Sequence, residues 1–74
     1  MANLTAEAYT AKLLARAKTK IARKGYQETL PNDAERELND YLRSIGTPWN
    51  EAGELAYELS LKVDALNQAQ ANKL

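Results

Sequence analysis

The 74-residue chain contains no cysteine and no histidine. Without cysteine it has no disulfide bond and no thiolate ligand for a metal ion. Without histidine it lacks the commonest metal ligand and the usual general base of enzymes. Catalytic schemes that pair histidine with a serine or cysteine nucleophile are therefore excluded. Glycine is scarce too, and its three isolated residues form no glycine-rich phosphate-binding loop.

Long apolar runs are also missing. No stretch approaches the roughly 20 apolar residues needed to cross a bilayer, and the first residues lack the basic start and apolar run of a secretory signal. We therefore expect a cytoplasmic protein that does not engage a membrane. The apolar fraction of 45% and the charged fraction of 27% are typical of a globular chain. We expect one helical domain over residues 1–74, small enough to gain from self-association.

Helix signals follow one another along the chain, and no segment alternates with the period of two that marks a strand. Thr5 is a good N-cap and opens a predicted helix over residues 5–24. Asn32, with a glutamate three residues later, predicts a capping box that opens a second helix over residues 32–45.

The third helix is predicted from Thr47, as N-cap, and Pro48, at the first helical position. It is expected to span residues 48–70, followed by a frayed tail at 71–74. Three amphipathic helices with short connections predict an all-α fold, a small three-helix bundle.

Apolar residues at helical spacing predict the core. In the first helix they are Ala6, Tyr9, Leu13, Leu14, Ala17 and Ile21; in the second Ala34, Leu38, Tyr41, Leu42 and Ile45; in the third Trp49, Ala52, Leu55, Ala56, Leu59, Val63 and Leu66. Gly53 has two interpretations, close backbone packing beneath Trp49 or a tolerated surface glycine. A second apolar line lies on nearly the opposite side of the first helix and comprises Leu4, Ala8, Ala11, Ala15 and Ala22.

Carboxylates cluster on two predicted helices, as Asp33, Glu37 and Asp40 and as Glu51, Glu54 and Glu58. Paired carboxylates can perform acid–base catalysis or bind Mg²⁺. Such sites need groups that converge from more than one element, so solvated acidic faces are the simpler interpretation. We expect no enzymatic activity, no metal site and no cofactor.

Charge is segregated along a chain whose net charge is zero. Residues 1–26 carry six Lys or Arg side chains against Glu7 alone, a net charge of +5, and residues 27–74 carry four cations against nine anions, a net charge of −5. Four cations share one side of the first helix and are called the basic ridge: Lys12, Arg16, Lys20 and Arg23. The ridge has four interpretations: protein docking, phosphate binding, packing against acidic flanks of the other helices, or a solvated face.

The third helix combines charge with spare apolar side chains. Its acidic–apolar face comprises Glu51, Glu54, Tyr57, Glu58 and Leu61. Our leading hypothesis is a small module that regulates or inhibits a larger protein by docking this face and the basic ridge onto it. By analogy alone, such proteins suit phage-type viral inhibitors, antitoxins and adaptors. The alternatives are a nucleic-acid accessory protein that uses the basic ridge, and a structural homo-oligomer such as a homodimer.

Overall fold

The computed structural model describes residues 4–72, and within that range it contains three α-helices and no strand. The helices are α1 (Ala6–Lys24), α2 (Leu30–Ser44) and α3 (Trp49–Asn72). The prediction of a small all-α three-helix bundle is confirmed. Helix α3 continues through Ala71 and Asn72, and the rest of the predicted frayed tail, residues 73–74, lies outside the described residues.

Helix α1 is capped at each end by the residue that flanks it. The hydroxyl oxygen of Thr5 accepts a hydrogen bond from the backbone N–H of Ala8 at 3.1 Å, which confirms the predicted N-cap. At the other end the N–H of Gly25 donates to the carbonyl of Ile21 at 2.8 Å. Gly25 has φ 82° and ψ −159°, a backbone region essentially restricted to glycine. The chain therefore leaves α1 abruptly and turns toward α2.

The predicted start of α2 at Asn32 is wrong. The helix begins at Leu30, and the carbonyl of Thr29 accepts from the backbone N–H of Asp33 at 2.9 Å. Pro31 is tolerated in this first turn because the N–H it lacks would have no helical partner there. Leu30 is buried and extends the apolar line of α2 by one turn, so core packing extends the helix beyond its polar capping signal.

A glycine turn joins α2 to α3. Gly46 adopts φ 94°, and its N–H donates to the carbonyl of Arg43 at 3.2 Å. The N–H of Thr47 donates to the carbonyl of Leu42 at 2.9 Å, which completes a Schellman motif. Helix α3 then begins at Trp49, one residue after its predicted start.

The core lies where the three helices meet. Buried residues recur every three or four positions in each helix, as amphipathic helices require. The buried hydrophobic residues are Leu13, Ala17 and Ile21 of α1, Leu30, Ala34, Leu38 and Leu42 of α2, and Ala52, Ala56, Leu59 and Val63 of α3. Partly buried residues complete it, namely Ala6, Tyr9, Leu14, Tyr41, Ile45 and Leu66.

In the first half of α3, the predicted burial of two residues is wrong, and the structure decides between the two interpretations of Gly53. Trp49 is 77% exposed rather than buried, because burial in this helix begins only at Ala52, one turn later. Leu55 is 37% exposed, because it lies on the edge of α3 that borders α1 rather than facing α2. A Cβ atom at Gly53 would meet nothing within 4 Å, so the surface-glycine interpretation is correct.

Helices α1 and α3 run in the same direction. The N-terminal half of α1 shares a groove with residues 55–62 of α3, and the C-terminal residues of α1 share a second hollow with residues 66–70. Because α2 lies between them in the sequence and its connections are short, α2 runs the opposite way. This direction places the two N-terminal halves at one end of the molecule.

Candidate functional site

All five residues of the acidic–apolar face are exposed on α3. Their spacing of three, four and seven residues places them on neighbouring positions of one helical surface. Tyr57 is 56% exposed and Leu61 is 51% exposed, so each presents a large apolar side chain to solvent. The structure therefore gathers the predicted residues into one continuous patch of carboxylates around two apolar side chains.

The opposite side of α3 is anchored in the core. Ala52, Ala56 and Val63 have no exposed surface, and Leu59 retains only 1%. A helix held along this line presents its outer face in a fixed geometry, which lowers the conformational entropy lost when a partner binds.

Asn67 adds a polar anchor that sequence reasoning missed. Its side chain is buried, and its Oδ1 accepts from the backbone N–H of Gln27 at 3.0 Å. Its Nδ2 donates to the carbonyl of the same residue at 2.6 Å. The side-chain amide of Asn67 therefore binds both the N–H and the carbonyl of Gln27, in the connector between α1 and α2. The available signal was its position, four residues after buried Val63 on the core side of α3, where a polar side chain must find partners.

The basic ridge is divided in the structure. Arg16 forms an ion pair with Glu37 of α2, at 3.3 Å from Nη1 to Oε2, with both side chains close to half exposed. A small hollow between α1 and α2 lies beside this ion pair, and Lys20 and Asp33 also line it. Lys12 and Arg23 are exposed. At Arg16 the ridge contacts an acidic flank of its own molecule, one of the interpretations that the sequence left open.

Two tyrosines join α1 to α2 beside this ion pair. The rings of Tyr9 and Tyr41 stack with centroids 3.7 Å apart and planes 4° from parallel. The hydroxyl of Tyr41 donates to the carbonyl of Leu4 at 2.9 Å, which ties down the residue before α1. Burial raises the pKa of Tyr9 above its ordinary 10.0, and the negative charge of Glu37 raises it further against an opposing effect of Arg16.

An apolar groove lies between α1 and α3, and the sequence analysis did not anticipate it. It has a volume of about 490 Å³. Its floor and walls come from Ala6, Thr10, Ala11 and Leu14 of α1 and from Leu55 and Leu59 of α3, and its rim carries Glu7, Glu58 and Lys62. The small side chains of α1 leave it open, because alanine cannot fill the space beside Leu55. We call it the α1–α3 groove.

Over residues 4–72, no three or more carboxylates come together in a group that could hold a metal ion. Within the same range, no helix is both long and apolar enough to cross a membrane.

Comparison with known proteins adds no relative to this picture. No protein-family model, no curated protein and no solved structure matches the chain.

Proposed function

We propose that this chain is a small protein-binding module that regulates or inhibits a larger protein by docking the acidic–apolar face of α3 onto it. One observation carries the proposal: Tyr57 and Leu61 are both about half exposed on a helix whose opposite side is fully buried. An exposed apolar pair beside carboxylates has the composition of an interface centre next to a polar rim.

The residue types on this face suit a basic protein partner. Tyrosine is enriched among the residues that contribute most to binding energy, because it buries a large rigid ring at a small entropic cost. Glu51, Glu54 and Glu58 give the surrounding surface a negative potential, which accelerates encounter with a positively charged surface and disfavours acidic competitors. The same potential repels phosphates, so this face does not suit nucleic acid.

The nucleic-acid alternative has weaker support. A ridge that binds phosphates needs its cations free, whereas Arg16 is already paired with Glu37. Lys12 and Arg23 remain exposed, and the experiment below includes nuclease so that any binding through nucleic acid is separated from protein docking.

The test is a tagged capture from the native host with three forms of the protein. The wild type, the face variant Glu54→Lys/Tyr57→Ala and the control variant Asp40→Lys/Ser44→Ala are compared, each with and without nuclease. The control changes an exposed carboxylate and an exposed hydroxyl-bearing residue on α2, so the net charge changes equally. Wild type and control are expected to retain one stoichiometric protein that survives nuclease, and the face variant is expected to lose it.

Two results would contradict the proposal. Equal capture by the face variant would remove the acidic–apolar face as the binding surface. Loss of every partner after nuclease would transfer the function to nucleic acid and to the basic ridge. Circular dichroism of all three forms shows whether the helices remain intact.

A further inference from the structure

A second surface of the molecule lies along the boundary between α1 and α3 and is apolar along most of its length. The α1–α3 groove occupies one end of the boundary between the two helices. A second hollow of about 170 Å³ continues along the same boundary and is lined by Lys18, Ile21, Ala22, Leu66, Ala69 and Gln70. Apolar side chains make up most of the lining of both hollows.

The α1 side of this face is built from small residues. Ala8, Ala11, Ala15 and Ala22 are all exposed and follow a spacing close to that of a helix–helix seam. Because their side chains are short, the backbone of another helix can approach α1 closely. On the α3 side, Leu55 lines the groove and is 37% exposed, so it supplies a larger apolar side chain.

Charge along this face changes sign from one end to the other. Since α1 and α3 run in the same direction, Glu7 of α1 and Glu58 of α3 lie together on the rim of the α1–α3 groove. The cation on the second hollow is Lys18, and Lys62 lies between the two ends. The face is therefore acidic at its N-terminal end and basic toward its C-terminal end.

We propose that the α1–α3 face binds the same face of a second copy of this chain in an antiparallel, two-fold arrangement. A two-fold axis perpendicular to the helices places the acidic end of each copy against the basic end of the other, so both ends gain favourable contacts at once. A parallel arrangement would oppose like charges at both ends. The polarity of the face thus selects both the occupant and its direction.

The area of the face suits a dimer. Helix α1 has 19 residues, so it is about 28 Å long, and two helices side by side are about 20 Å wide. The ridged surface over that footprint is comparable to the roughly 600 to 1,000 Å² that each partner buries in a standard interface. The dimer interface and the acidic–apolar face share Glu58 at their border, but the centre of the dimer interface is the α1–α3 groove and not Tyr57.

The first experiment measures the mass of the purified protein in solution by light scattering and sedimentation. At about 100 μM, the wild type is expected at twice its 8.2 kDa chain mass, since interfaces of this size have dissociation constants of about micromolar or below. Ala11→Arg places a long cation in the groove and should leave a helical monomer. Ser44→Arg adds the same charge on α2 and should remain a dimer. A wild-type mass of 8.2 kDa would overturn the proposal.

The second experiment tests the direction of the two copies by exchanging charges. Glu7→Lys/Glu58→Lys makes the face basic at both ends, and Lys18→Glu/Lys62→Glu makes it acidic at both ends. Each variant alone is expected to be monomeric, because like charges then meet at both ends of the dimer. An equimolar mixture is expected to form a one-to-one heterodimer. Self-association of either variant at wild-type strength would exclude the antiparallel arrangement.

Discussion

At the scale of single residues, the most consequential side chain is a buried asparagine. Asn67 makes two hydrogen bonds to the backbone of Gln27 and thereby holds the connector between α1 and α2 against α3. The carbonyl of Gln27 also accepts from the N–H of Leu30 at 3.2 Å, so replacing Asn67 leaves the N–H of Gln27 as the group without a partner. An unpaired donor costs more than its hydrogen bond contributes.

We therefore predict that Asn67→Leu lowers the free energy of unfolding by about 2 kcal/mol, the cost of losing two hydrogen bonds and leaving the N–H of Gln27 unpaired. Leucine has the same number of side-chain heavy atoms and the same branching as asparagine, so the substitution leaves no cavity. Urea unfolding followed by circular dichroism measures the effect. The neighbouring exposed Gln68→Leu is the control and should change stability by less than about 0.5 kcal/mol. Equal effects of the two substitutions would remove the anchoring role of Asn67.

A second residue-scale prediction concerns Tyr9, whose pKa is raised by burial and by Glu37. In the unfolded chain Tyr9 loses its proton near its ordinary pKa of 10.0, whereas the folded protein resists that loss. The stabilising contribution is complete below pH 10 and is lost as the pH rises through the folded pKa. The free energy of unfolding should therefore fall more steeply between about pH 9 and about pH 11 in wild type than in Tyr9→Phe. Equal slopes in wild type and Tyr9→Phe would contradict this role of Tyr9.

At the scale of helices, sequence signals located each element but not all of its boundaries. The hydroxyl of Thr5 and the glycine at position 46 act locally, so their effects could be predicted from neighbouring residues alone. The start of α2 could not, because burial of Leu30 outweighs the capping signal at Asn32. The burial of Leu30 depends on where the other helices lie, and no local pattern contains that information.

Two glycines allow an element-scale test with opposite expected signs. Gly53 lies inside α3 with no atom near a prospective Cβ, so Gly53→Ala should raise the free energy of unfolding by about 0.5 to 1 kcal/mol. Gly46 has φ 94°, where an alanine is strained, so Gly46→Ala should lower it by about 1 kcal/mol or more. Thermal unfolding of the two variants measures both changes. Effects of the same sign would contradict the backbone assignments.

Of the two candidate surfaces, one could be predicted from the sequence and the other could not. The acidic–apolar face could be predicted because Tyr57 and Leu61 lie on one side of a single helix, where spacing alone fixes exposure. The α1–α3 groove depends on two helices at once, and only the direction of α1 relative to α3 reveals it. For the same reason, the pairing of Arg16 with Glu37 remained one interpretation among several until the helices were placed.

At the scale of the whole molecule, the chain exposes more surface than its size requires. Its accessible surface is 5268 Å², whereas a folded monomer of 8.2 kDa is expected to expose about 4,500 Å². Its Cα atoms extend over 42 × 26 × 15 Å, a flattened shape that leaves helix faces uncovered. With no cysteine to form a disulfide, covering such a face with a second copy is the direct way to gain stability.

Because the proposed dimer must separate when its chains unfold, we predict that the midpoint of thermal unfolding depends on protein concentration. Where the dimer is formed, each tenfold increase in concentration stabilises a chain by about 0.7 kcal/mol, because unfolding must also separate the two copies. For a domain of this size the midpoint should rise by about 3 to 5 °C per tenfold increase. Ala11→Arg should remove that dependence and lower the midpoint at high concentration, while Ser44→Arg should retain it. A midpoint that stays constant in the wild type would mean that the α1–α3 face contributes nothing to stability through a second copy.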